Sequence, residues 1–129
     1  MADRYREAGN LAGHDPAVLE VSIAGHGYVS SNGRAAKEDW YRYETSVLKS
    51  VGLKVPDRAY FDANYAPGGM TMVGEPDEIA ERLIALQRNV GHRRHIIQMD
   101  LGGVPHQDVL RSIELLGTEV ALKVRAELG

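Results

Sequence analysis

Cysteine is absent from the 129 residues, which removes disulfides, thiolate metal ligands and cysteine nucleophiles at once. No apolar run approaches the ~20 residues that a membrane-spanning helix needs. The opening MADRYREAGN is polar and lacks the apolar centre of a secretory leader, so a cytoplasmic chain with no membrane partner is expected. Positive charge is not in excess either: 15 basic against 18 acidic residues leave a formal net charge of −3, with no Lys/Arg stripe among aromatics. Nucleic acid is not an expected partner. Fixed-length repeats and low-complexity stretches are also missing. What is there is ordinary globular composition, 43% hydrophobic and 26% charged, enough for one domain over residues 1–129.

Periodicity divides the chain. DRYREAGNLAGHDP reads as the end of a helix running into a turn at Asp15-Pro16. Leu19, Val21 and Ile23 then alternate with Glu20, Ser22 and Ala24, the mark of a strand with one apolar side, ending at Gly25-His26-Gly27. Ser31 and Asn32 are candidate caps for a helix whose Ala36, Trp40, Tyr43, Val47 and Leu48 recur at three-and-four spacing until Gly52. LKVPDRAYFDANYAPGG reads as a long loop with one short helical turn. A short strand at 70–73 precedes Pro76, placed for a first helical turn, and a stripe of Ile79, Leu83, Ile84 and Leu86 stopped by Gly91. The last unit is a strand at 95–99, a glycine turn, and a helix from about 105 to 127.

Strands alternating with helices predict a parallel sheet with helical crossovers. Glu20, Ser22 and His26 share one side of the first strand, while Gln98 and Asp100 oppose Ile97 and Met99 in the last. Those polar sides face either the interior of a barrel that opens on a site at its C-terminal rim, or solvent.

HGYV after the first strand, VGEPDEIAERL after the second and QMDLGGVPHQDVLRSIEL at the end, in that order, resemble the C-terminal part of the bacterial luciferase-like flavin-dependent monooxygenases. The resemblance implies a partial (β/α)8 barrel of TIM type, equivalent to the last three β/α units, with about two thirds of a typical member having no counterpart. It implies oxygenation of an organic substrate by reduced flavin, either FMN or an F420-type flavin, with a flavin reductase as a possible partner. A complete site then needs a second copy in a dimer or other homo-oligomer, or a missing N-terminal barrel portion. One departure is Leu122, where family helices commonly carry proline; an unkinked final helix is expected. The rival reading is a non-catalytic oligomeric scaffold or binding module derived from a truncated barrel.

The candidate residues follow. His26, ending its strand on the polar side, could move a proton or polarise an oxygen intermediate, or could simply cap a turn. The resemblance places Gly74, Gly102, Gly103 and His106 near the cofactor and Tyr28 and Gln98 on a substrate rim. DLGGVP lacks both G-x-G-x-x-G and the Walker lysine, so its glycines serve tight strand-to-helix packing more readily than a phosphate. His92 and His95 flank Arg93-Arg94 with no carboxylate nearby, a poor metal site, and no metal is expected. Trp40 and Tyr43 fall at helical spacing and belong to the core.

Overall fold

The computed structural model describes residues 1–129. In chain order it contains α1 (Ala2–Leu11), β1 (Ser22–Val29), α2 (Gly33–Ser50), α3 (Arg58–Tyr65), β2 (Met72–Gly74), α4 (Pro76–Val90), β3 (Arg94–Gln98), α5 (His106–Leu115) and α6 (Ala121–Leu128). Local chemistry sets these bounds. The Asn32 side chain accepts from the Ala35 amide at 3.1 Å and starts α2, and Asp57 does the same for α3 from Tyr60 at 3.0 Å. Pro76 opens α4, and Gly91 closes it in the left-handed region at φ 66°. The final helix runs on through a π turn at Leu116–Val120 without a proline kink.

β1 does not stop at Gly25-His26-Gly27 but continues to Val29. A Cβ on Gly27 would lie 2.6 Å from Ile97 Cγ2 and 2.7 Å from the Met72 carbonyl oxygen, so this glycine admits a close neighbour on each side. The stretch after Gly52, expected to be mostly loop, contains the eight-residue α3.

The sheet is parallel with the order β2-β1-β3. β1 pairs Gly27 with Met72 on one side and Ser22 through His26 with Arg94 through Gln98 on the other. This corrects the partial TIM-type barrel. In a barrel each strand pairs with its successor and all helices lie outside; here β2 and β3 never meet, β1 is central, and helices pack on both faces towards the C-terminal ends of a three-stranded sheet. The chain moves from β1 to β2 in one lateral direction and from β2 to β3 in the other, so right-handed crossovers put α2 and α4 on opposite faces.

Each face has its own core. Tyr28 and Val73 pack with Ala36 and Trp40 of α2, Phe61 and Tyr65 of α3, and Val104. Val29, Met72 and Met99 pack with Ile79, Ala80 and Leu83 of α4 and with Val120. Two polar devices join the layers. Arg82, only 6% exposed, donates to the carbonyls of Tyr65 (2.9 Å), Gly69 (3.0 Å) and Thr71 (3.1 Å), tying the end of α3 and its following loop to α4. Ser112, fully buried, accepts the Val29 amide at 2.7 Å and docks α5 onto the end of β1. Ser112→Ala strands that amide, and denaturant unfolding is expected to report a loss of about 1–3 kcal/mol.

Candidate functional site

The two faces of β1 are covered unequally. Towards Val29 both are buried, but from Ser22 to His26 the side bearing Ser22, Ala24 and His26 is exposed. β3 continues this opening with Arg94, Ile96 and Gln98, and Ile96 is 51% exposed. The alternation read from the sequence therefore holds, but the polar side faces an uncovered sheet surface and not a barrel interior.

His26 and Gln98 are register partners at the upper end of this surface. The ring of Trp40 stands 6.5 Å from that of His26 and stacks on Tyr28 at 5.9 Å with 19° between planes. Tyr43 meets Tyr28 edge-on at 6.4 Å. Trp40 is thus core, as its spacing implied, and lies beneath the exposed His26. Burial pushes the Tyr28 hydroxyl up to about 12, helped by the Asp108 carboxylate and opposed by Arg111. Tyr43 is raised by burial and by Asp39 and Asp108. Both phenols consequently stay protonated at neutral pH and are available as donors. Asp39, Asp108 and Arg111 carried no signal in the sequence, because only the packing of α2 beside the first turn of α5 brings them to the tyrosines.

The other expected residues lie apart from this group. Gly74 ends β2, and the space its missing side chain leaves is occupied by Glu78, whose Oε2 would be 2.5 Å from a Cβ there. Glu78 also pairs with Lys37 at 2.7 Å across an all-polar cleft of about 600 Å³ between the starts of α2 and α4. Gly102 and Gly103 both adopt φ 82°, and a Cβ on either would meet nothing within 4 Å. They are glycines because the turn is left-handed, not because a helix packs closely on a strand. His106 is exposed at the start of α5 with no ring contact to His26.

A flavin has a planar ring and a phosphate, and these residues suit them differently. On the exposed sheet surface stand an imidazole, an amide and Ile96, with the buried Trp40–Tyr28 stack beneath, and the indole Nε1 of Trp40 is buried without a partner. The phosphate has no comparable cradle: the Gly102 amide is already bonded to Asp100 Oδ1 at 2.8 Å, and Glu78 fills the space beside Gly74. The surface offers polar and apolar groups that a planar ring could lie against, and no cradle for a phosphate. No group of three or more metal-ligating side chains is present, and no helix is long and apolar enough to cross a membrane.

No family model matches the chain, and no curated protein matches it. Among solved structures it is similar to the crystal structure of the monooxygenase RslO1 from Streptomyces bottropensis, with a TM-score of 0.73 and 18% identity. The match covers 94% of this chain and 36% of that one, and at this identity it establishes a likeness of fold over the shared part.

Proposed function

We propose that this chain supplies the ring-facing surface of a flavin-dependent monooxygenase of the luciferase-like kind, acting on an organic substrate. The observation that carries this reading is the register pair His26 and Gln98, exposed on the uncovered sheet beside the Trp40–Tyr28 stack. The fold likeness to a monooxygenase over 94% of the chain supports it. Reduced flavin, when bound, supplies the oxygen-activating chemistry and must be regenerated by a reductase. The chain's own residues bind and orient: Gln98, whose Nε2 already donates to the Asp100 carbonyl at 3.1 Å, offers its remaining amide hydrogen and its carbonyl oxygen to ring heteroatoms, His26 holds or accepts a proton at an imidazole nitrogen, and the Trp40–Tyr28 stack excludes water from beneath. Closing the other side requires a second copy or a further portion of polypeptide.

Trp40 is the single tryptophan, so its emission reports flavin arriving beside His26. Titration with FMN is expected to quench it. His26→Ala combined with Gln98→Ala is expected to weaken the quenching about tenfold, the effect of about 1.4 kcal/mol of lost contacts. Unchanged quenching in the double variant would remove this surface from the cofactor site.

The rival reading, a non-catalytic oligomeric scaffold, draws on a different observation. The outer edges of β2 and β3 have no strand partner, and Ile96 is 51% exposed on the open face. A defined oligomer indifferent to flavin would favour it.

A further inference from the structure

At the end of β3 away from the candidate site, two imidazoles meet. His92 is 5% exposed, its ring centroid is 5.4 Å from that of His95, and the planes cross at 64°. Nδ1 of His92 and both ring nitrogens of His95 are buried with no hydrogen-bond partner. Nothing in the core requires two polar rings here, and an apolar pair would leave no orphaned atoms.

The charges around the pair are mostly positive. Arg93 and Arg94 separate the two histidines in the chain, and Arg6 of α1 donates to the carbonyls of Val90 (2.8 Å) and Gly91 (3.0 Å) just before His92. At the end of α4, Arg88 is paired with Glu127 of α6. Of the other carboxylates, Glu20 is held by Arg93 at 2.8 Å and Asp3 is beside Arg6 at 3.6 Å. β1 presents only Ile23 opposite His95 and a Val21 carbonyl that accepts the Arg93 amide at 2.9 Å. No free acid stands ready to receive an imidazolium.

We propose that His92 and His95 form an acid-sensitive latch: protonating either ring drives the pair apart and releases the start of β3 from β1. Burial holds both rings below the usual histidine value, and the neighbouring His92 lowers His95 further. The unfolded chain therefore binds protons more readily. The stability conferred by the neutral pair is fully present above about pH 6.5 and is lost as pH falls below it. The ladder that opens runs from Ser22 and Arg94 up to His26 and Gln98, so loosening at the latch propagates towards the open rim.

Hydrogen exchange of the 94–98 amides in the full chain tests this, with the imidazole protons of the five histidines followed by NMR in the same samples. Between pH 7.5 and 5, after correction for intrinsic exchange, protection of these amides is expected to fall about tenfold or more, in step with the His92 and His95 resonances. The variants His92→Phe and His95→Phe, each lacking one titrating ring, are expected to flatten that dependence. Full protection at pH 5 with both imidazoles protonated would overturn the proposal, as would a pH-dependent loss that persists in both variants. Should either variant fail to fold, the coincidence of amide and imidazole titrations in the unmodified chain decides the matter alone.

Discussion

Arg82→Met is expected to cost about 3–5 kcal/mol, enough to unfold much of a domain whose total stability is of order 5–15 kcal/mol. The guanidinium is buried and its Nη atoms serve the carbonyls of Tyr65, Gly69 and Thr71, all at the frayed end of α3 or in the turn after it. Methionine matches the apolar stem and takes the donors from the Tyr65 and Gly69 carbonyls, while the Thr71 carbonyl keeps the Val73 amide at 3.1 Å. The turn presses close on the end of α3, where a Cβ at Gly69 would overlap the Asn64 carbonyl oxygen. Burial holds the guanidinium below its ordinary value, but the Glu78 charge opposes that, and an arginine remains charged across the accessible range. Arg82→Lys is expected to recover part of the loss, since one ammonium cannot reach every carbonyl the fork reaches. Denaturant unfolding gives both numbers; a cost below about 1 kcal/mol for the methionine variant would mean that the loop is held by other means.

Trp40→Ala is expected to be comparably severe, about 3–5 kcal/mol, through the cavity left by a completely buried indole. Its consequences reach the proposed site. Tyr28 loses its stacking partner and His26 loses the ring behind it. Trp40→Phe keeps an aromatic wall while removing the unpartnered Nε1, so it is expected to cost much less in thermal unfolding. A large cost for phenylalanine together with a small one for alanine would contradict the packing described.

The helices were legible because their signals are local. Asn32, Pro76 and Gly91 sit where cap chemistry puts them, and the alternation of Ser22, Ile23 and Ala24 reports the two faces of β1, although the strand begins at Ser22 and not at Leu19. Strand order was not legible, since alternating strand and helix fits a barrel and an open doubly wound sheet equally well. One clue was present and misread: the glycines of Gly25-His26-Gly27 look like breakers, yet Gly27 is the residue against which Ile97 of β3 and Met72 of β2 both crowd, as befits a central strand. Helix α3 was hidden for another reason: beyond its Asp57 cap it is held by core packing of Phe61 and Tyr65 and by Arg82, many residues away. The candidate site divided in the same manner. His26, Tyr28 and Gln98 were singled out from strand polarity and the family resemblance; the structure pairs exposed His26 with Gln98 but buries Tyr28 in the core and off any rim, where Asp39, Asp108 and Arg111 reach it only through tertiary packing. The pairing of His92 and His95 across an arginine dipeptide likewise depends on how the turn after α4 folds, which spacing does not specify.

The central claim, that the open face of β1 and β3 receives a flavin ring, is tested most directly by comparing riboflavin with FMN in titrations read from Trp40 emission. The two ligands share the ring and differ in the phosphate. Because Asp100 occupies the Gly102 amide and Glu78 fills the space at Gly74, equal affinities are expected for the two, both weakened by His26→Ala. Quenching by neither ligand, or tight binding of FMN alone, would contradict it.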